Sequence, residues 1–185
     1  MRRLFLGLAC LALSGAALAF TPAPLTPWQA QRVDGMDALD PSQPYANEDL
    51  GFTLATLPGP VYQGNGTDDG VLVLLGDKRT LTFTAAYAVD DTSTREAMTT
   101  ELAYGTHAND ARREPATLGG EKAEQAQWRD GDDLALLLVR YRPDGDDSGV
   151  IYSALLHTTP EHQQEDVQAF QALLKGFRTV ALPHN

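Results

Sequence analysis

The chain has 185 residues and carries 14 Lys and Arg against 25 Asp and Glu, which gives a formal net charge of −11 at pH 7. An acidic surface repels phosphate backbones and anionic lipid headgroups, which argues against nucleic-acid binding and against electrostatic attachment to a membrane. The single cysteine excludes an intramolecular disulfide, so a hydrophobic core has to hold together the one domain that this length predicts.

Residues 1–19 predict a secretory signal peptide. Arg2 and Arg3 precede an uncharged apolar stretch, which ends in a small-x-small sequence at Ala19. Cleavage before Phe20 and export to the periplasm or the extracellular space are expected. The apolar stretch is shorter than the roughly 20 residues that a membrane-spanning helix needs.

Cys10 leaves lipid attachment open as an alternative to simple cleavage. Gly7 to Cys10 has the small residue that a lipoprotein signal needs directly before its cysteine. The apolar core before it is shorter than the usual minimum of roughly 7 residues, and the apolar run continues beyond Cys10. A cleaved chain without lipid is therefore favoured.

Residues 20–44 predict a proline-rich arm. Pro22, Pro24 and Pro27 favour extended, polyproline-like backbone and oppose a regular helix. Near the end of this segment, the spacing of apolar residues around Met36 also allows a short helix.

A single domain is expected over residues 45–182, and its first half predicts strands. Phe52 and Leu54 face one side of a short strand that Pro58 and Pro60 end. Two further strands are predicted over residues 70–75 and 80–88, joined by a hairpin loop at residues 76–79.

A helix is predicted over residues 94–104. Ser93 followed by Glu96 has the spacing of a capping box, and Met98 and Leu102 would face inward. Three more strands are then predicted over residues 122–129, 134–142 and 150–157, with a hairpin corner at Asp130-Gly131. Short turns between them indicate an antiparallel meander.

The last predicted helix covers residues 160–175, with Thr159 as its N-cap and Gly176 as its stop. Its apolar side chains recur at helical spacing and consist of Val167, Phe170, Leu173 and Leu174. Strands in the middle of the domain with helices before and after them indicate the α+β class, as a central antiparallel sheet flanked by helices.

Two short motifs in this framework resemble the PsbP-like superfamily. They are Leu50-Gly51-Phe52, with Pro58 shortly after, and the closing sequence FQALLKGFR at residues 170–178. The superfamily is named for an extrinsic photosystem subunit and includes bacterial lipoproteins and a nuclear-import release factor. Gly176 departs from its pattern, because bacterial members often have serine at that place.

The resemblance implies an α-β-α sandwich over about residues 45–180. The better understood members act as binding or assembly modules, so it also implies such a role here. The superfamily has no common catalytic residues to carry over, and one fold hosts many functions.

The acidic loop at residues 144–149 places Asp144, Asp146 and Ser148 like the first half of a calcium loop. The bidentate glutamate that would complete such a loop falls on Leu155, which cannot bind a metal. A polar hairpin turn explains the same residues and is favoured, with calcium as the alternative.

The four histidines, at positions 107, 157, 162 and 184, lack the spacing of a zinc pair. His157 and Ser153 lie on one predicted strand without a nucleophile-elbow sequence, which argues against a hydrolase dyad. The carboxylates of Asp130, Asp132 and Asp133 near Trp128 suggest a glycosidase-like site, but a turn does not by itself hold two carboxyls across a cleft.

The sequence therefore assigns no catalytic, cofactor-binding or metal-binding residue. It indicates an exported, non-enzymatic binding or assembly module that acts on another envelope or secreted protein. A hydrolase with an unrecognised carboxylate-based site is the alternative.

Overall fold

The computed structural model describes residues 35–63, 69–88, 92–145 and 148–183. The predicted signal peptide with Cys10 and the three prolines of the arm lie outside these residues. So do His184 and, in the acidic loop, Asp146 and Asp147.

The described residues form the strands β1 (Asp37–Leu39), β2 (Tyr45–Asn47), β3 (Phe52–Leu54), β4 (Val61–Gln63), β5 (Gly70–Gly76), β6 (Arg79–Ala88), β7 (Arg112–Leu118), β8 (Glu121–Asp130), β9 (Asp133–Pro143), β10 (Gly149–Thr158) and β11 (Phe177–Thr179). The helices are α1 (Thr94–Thr100), which continues as a π-helical turn (Glu101–Gly105), and α2 (Gln163–Gly176).

Two antiparallel sheets are present. The large one has eight strands in the order β1-β4-β5-β6-β10-β9-β8-β7, and the small one has the order β11-β3-β2. The predicted α+β class is confirmed, but the expectation of a single sheet is wrong. Pro58, Gly59 and Pro60 interrupt the chain between β3 and β4, so β3 pairs in the small sheet whereas β4 joins the large one.

Both faces of the large sheet are packed, as the alternation along β10 illustrates. Val150, Tyr152 and Leu156 belong to the main core, which also takes in α2 and the small sheet; we call this the inner face. Ile151 and Leu155 pack toward a second cluster that contains Met98 and Leu102 of α1 and its π-helical turn, and we call this the outer face. The fold therefore contains more β-sheet than the predicted arrangement of one central sheet flanked by helices.

Aromatic rings join the small sheet to the inner face. Phe52 lies 5.2 Å from Phe83 between ring centroids, and Phe177 lies 5.4 Å from Phe83 and 5.1 Å from Tyr152. All four side chains are essentially inaccessible to solvent. Such pairs add specific ring packing to the hydrophobic burial that places the small sheet.

A buried ion pair anchors α2 to the edge of the β5–β6 hairpin. Arg79 donates from Nε to Oδ2 and from Nη2 to Oδ1 of Asp166, both at 3.0 Å. Thr158 donates to Asp166 Oδ2 at 2.5 Å, and Arg79 Nη2 also donates to the carbonyl of Leu75 at 2.6 Å. Because both charges are hydrogen-bonded on several sides, the cost of removing them from water is offset.

The predicted helix over residues 94–104 is confirmed together with its cap. Ser93 Oγ accepts a hydrogen bond from the Glu96 amide at 3.3 Å and contacts the Glu96 carboxylate at 2.8 Å. Met98 and Leu102 are buried, as expected.

The final helix begins later than predicted, at Gln163, and Thr159 is not its N-cap. The amide of His162 donates to the carbonyl of Thr159 at 3.1 Å, so Thr159 and Pro160 belong to a turn that precedes the helix. The predicted inward face is confirmed, since Phe170 and Leu173 are buried and Val167 and Leu174 pack against the same core.

The predicted meander is confirmed as β8, β9 and β10, and Gly131 has the positive φ of 62° that its tight turn requires. The acidic loop joins β9 to β10 as a hairpin, in which the Asp144 amide donates to the Ser148 carbonyl at 2.8 Å. Tyr141 Oη donates to the same carbonyl at 2.9 Å.

Five strands, β1, β2, β4, β7 and β11, were not expected from the sequence. β1 lies where a short helix was allowed near Met36, ahead of the predicted domain start at Tyr45, and pairs with β4. β4 follows directly on Pro60, and β7 contains Pro115, which is tolerated because β7 is an edge strand. In each case pairing with a neighbour outweighs the local sequence preference.

The ion pair yields a stability prediction. Asp166→Ala leaves the Arg79 guanidinium buried without its partner, so we expect a loss of about 3 to 5 kcal/mol in the free energy of unfolding, measured by denaturant titration. Glu165→Ala is the matched control: its side chain is 75% exposed, its carboxylate lies 3.9 Å from Arg79, and its loss should cost under about 0.5 kcal/mol. Equal, small effects of both substitutions would contradict this account.

Candidate functional site

A cavity of about 630 Å³ opens on the outer face where the π-helical turn of α1 ends. Three separate stretches of the chain supply its lining: residues 105–111 after that turn, the end of β8, and the second half of β10. We call it the Trp128–His157 cavity, and its lining consists of Gly105, Thr106, His107, Ala108, Asp110, Ala111, Trp128, Arg129, Asp130, Leu155 and His157.

The register of the meander brings the two rings of the cavity together. Trp128 on β8 pairs with Ala135 on β9, which in turn pairs with His157 on β10. Because the alanine between them is small, the indole and the imidazole can meet above it, with centroids 6.3 Å apart and an interplanar angle of 85°. An edge-to-face contact of this kind fixes both rings at the end of the sheet.

The π-helical turn positions the other side of the cavity. The Thr106 amide donates to the Glu101 carbonyl and the Ala108 amide donates to the Leu102 carbonyl, both at 2.8 Å. His107 adopts the left-handed region, with φ of 57°, and its Nδ1 lies 3.1 Å from the carbonyl oxygen of Ala103. Since Leu102 is buried against the sheet, this irregular turn holds residues 105–111 over β8 and β10.

Burial is the largest influence on the pKa of His157. It lowers the pKa of this half-buried imidazole below the ordinary value of 6.5, while the nearby carboxylates of Asp130 and Asp133 act in the opposite direction. The ring is therefore neutral at pH 7. No hydrogen bond joins it to another residue among those that the structure describes.

The carboxylates of the cavity are not neutralised by ion pairs. Neither Asp110 nor Asp130 forms a salt bridge with any residue in the described ranges. Arg129 also lines the cavity, but its guanidinium donates to the Asp132 carbonyl at 2.7 Å and to Gln163 Oε1 at 3.3 Å. The lining thus combines aromatic residues with two aspartates that have no salt bridge in the described ranges.

Of the candidate site residues that the sequence suggested, the structure brings some together at the cavity and leaves others apart. Ser153 and His157 share the outer face of β10 but lie four residues apart, which is roughly 13 Å along a strand and too far for a nucleophile and its base. Asp130 lines the cavity and Asp133 is close enough to act on His157, whereas Asp132 lies in the turn. His162 is exposed beside Thr159 before α2.

Sequence reasoning missed His107 and Asp110 as members of this site. They are far from Trp128 in the sequence, and only the π-helical turn brings them to it. No group of three His, Cys, Asp or Glu side chains suited to a metal ion occurs within the described ranges. Neither of the described helices is long and apolar enough to cross a membrane.

The fold is similar to that of LpqN from Mycobacterium tuberculosis, a protein described as involved in cell envelope biogenesis. The likeness has a TM-score of 0.51 at 12% sequence identity and covers 79% of this chain and 92% of LpqN. The predicted PsbP-like fold is confirmed. At this identity the likeness concerns the fold alone.

PsbP from the cyanobacterium Synechocystis is a second structure that the chain resembles. It has a TM-score of 0.46 at 10% identity, covering 81% of this chain and 95% of PsbP, and is too remote to support a further conclusion. No protein-family model and no curated protein sequence matches the chain.

The burial of His157 predicts a pH dependence. Because the folded state resists protonation, the protein should lose stability as the pH falls through 6.5 toward the lower folded pKa, and this part of the loss should be absent in His157→Phe. NMR titration of the ring should place its pKa below 6.5, and Asp130→Asn should lower it further. Asp144→Asn, at the opposite end of the sheet, is the control; a pKa at or above 6.5 would contradict the assignment.

Proposed function

We propose that this chain is an exported, non-enzymatic binding module that docks on another envelope or secreted protein through the Trp128–His157 cavity. The observation that carries the proposal is the composition of the cavity: two aromatic rings fixed edge-to-face beside carboxylates that have no ion-pair partner in the described ranges. A concave surface with an aromatic anchor and a few polar groups is the common form of a recognition site.

The position of His157 favours binding over catalysis. A general base works when a third group orients its ring and when a nucleophile lies within hydrogen-bond reach. The His157 imidazole has no hydrogen-bond partner among the described residues, and its neighbour on the strand face, Leu155, is apolar. Its closest ring contact is the indole of Trp128, which serves packing rather than proton transfer.

A hydrolase remains the second candidate, and one observation favours it. Asp110, in the loop after the π-helical turn, and Asp130, at the end of β8, are lining residues of the same cavity. Pairs of carboxyls across a cleft are the requirement for glycoside hydrolysis. An esterase, glycosidase and peptidase screen of the purified protein tests this candidate; turnover lost in Asp130→Asn would establish it and defeat the binding proposal.

Export is supported by the leader at residues 1–19, with its two arginines, apolar stretch and small residues before Phe20. The fold neighbour LpqN is described as involved in cell envelope biogenesis, which is in keeping with a role in that compartment. We expect that intact mass and N-terminal sequencing of the exported protein will find Phe20 first. A full-length product in the cytoplasm, or a lipid on Cys10, would contradict this expectation.

Docking at the cavity can be tested by site-specific crosslinking in the cells that produce the protein. A photoreactive phenylalanine analogue in place of Tyr104, which is 79% exposed and directly precedes the cavity lining, should crosslink one discrete partner that mass spectrometry identifies. The same analogue in place of Tyr87, which is 54% exposed near the other end of the sheet, is the matched control.

The crosslink should be lost in Trp128→Ala, because the partner would lose its aromatic anchor. Equal crosslinking from both tyrosine positions, or a crosslink that Trp128→Ala leaves unchanged, would contradict docking at this cavity.

A further inference from the structure

We infer that the group of the partner that enters the Trp128–His157 cavity is a cationic side chain, an arginine or a lysine. This inference rests on the proposed function and adds the chemistry of the ligand to it. It follows from charge, aromatic surface and the limits that the lining sets on other ligands.

Charge is the first argument. Asp110 and Asp130 are both lining residues of the cavity, the charge of Asp130 acts on His157, and neither aspartate has an ion-pair partner among the residues that the structure describes. Asp133 lies close enough to act on the same imidazole. The formal charge of the chain is −11, so its overall field also attracts a cationic partner and repels an anionic one.

The basic side chain in the lining does not take the place of the ligand. Arg129 directs its guanidinium to the Asp132 carbonyl in the β8–β9 turn and to Gln163 at the start of α2. Both contacts hold it toward the turn and α2, and it donates to neither Asp110 nor Asp130. The two carboxylates thus keep their acceptor capacity for an incoming donor.

The aromatic lining provides the second argument. An arginine or lysine gains from contact with an indole ring and from carboxylate hydrogen bonds at the same time. The indole of Trp128 is held in place by its contact with His157, so little conformational entropy is lost when a ligand settles against it. Since the imidazole is neutral at pH 7, it does not repel the cation.

Other ligand classes fit less well. A phosphate or carboxylate group would meet Asp110 and Asp130, and Arg129, the one Lys or Arg among the described lining residues, is directed away toward Asp132 and Gln163. A divalent metal ion would need more ligands than the described residues gather in one place. A purely apolar side chain would make no favourable contact with the two exposed aspartates and would displace water from them.

The test uses Trp128 as its own reporter. The chain has two tryptophans, so Trp28→Phe leaves Trp128 as the single source of indole fluorescence. The exported protein with this substitution is titrated at low salt with the blocked peptides acetyl-Gly-Gly-Arg-Gly-Gly-amide and acetyl-Gly-Gly-Lys-Gly-Gly-amide. The same peptide with citrulline, which keeps the shape of arginine but lacks its charge, is the reference ligand.

We expect saturable changes in Trp128 emission, with the better of the two cationic peptides binding at least about fivefold more tightly than the citrulline peptide. The double substitution Asp110→Asn/Asp130→Asn should remove most of that preference. Asp144→Asn, at the opposite end of the sheet, changes the net charge in the same direction and should leave the preference intact. Circular dichroism of each variant verifies that it is folded.

Equal binding of the citrulline and cationic peptides, no saturable change with any of them, or a preference that the double substitution leaves unchanged would overturn the inference. The crosslinking experiment separates the two proposals. A Tyr104 crosslink that depends on Trp128 but persists in Asp110→Asn/Asp130→Asn would keep the docking function and reject the cation. Specific arginine or lysine binding without any crosslinked partner would keep the cation site and reject protein docking.

Discussion

The Arg79–Asp166 ion pair is the contact on which much of the architecture depends. It lies where the β5–β6 hairpin, the end of β10 and the first turn of α2 meet, and it fixes the helix on the inner face of the large sheet. β11 follows α2 directly, so the position of α2 places Phe177 in the aromatic cluster beside Phe52. The ion pair thus fixes the helix from which β11 starts, and the hydrophobic core then places the small sheet.

The two faces of the large sheet differ in how completely they are covered. The inner face is filled by α2, the small sheet and the aromatic rings, and its members are almost fully buried. On the outer face α1 packs mainly on β8 and β9, and the cavity opens where the helix ends. Arg113 of β7 ties that helix down through Thr99 and the Arg95 carbonyl while it pairs with Glu124. The large sheet under α1 and the neighbouring strand β7 therefore support the elements that line the candidate recognition surface.

Local signals in the sequence predicted the elements that local physics determines. Ser93 and Glu96 marked α1, Asp130-Gly131 marked a tight turn, and the apolar runs of β9 and β10 marked the meander. In the small sheet, β2 and β3 form a local hairpin, but β3 also pairs with β11 from the far end of the domain, and no local pattern encodes that second pairing.

The candidate site, too, could be predicted from the sequence only in part. Trp128 and Asp130 were noted in the sequence because a tryptophan near several carboxylates suggests a glycosidase-like site. Their partners His107 and Asp110 did not, because a π-helical turn has no recognised sequence signature and its hydrogen bonds displace the following loop. The contact of Trp128 with His157 depends on the strand register and on the small size of Ala135, which are properties of the assembled sheet.

The edge strand β7 has a consequence for how the protein behaves in a crowded compartment. Its outer edge would be an open template for the strands of other molecules if it were flat and apolar. Instead it carries Arg112, Arg113 and Glu114, and Pro115 removes one backbone donor from the strand. The charges and the proline of β7 thus protect this edge against aggregation. Such protection matters for a protein that is rich in sheet and has no disulfide to limit its unfolding.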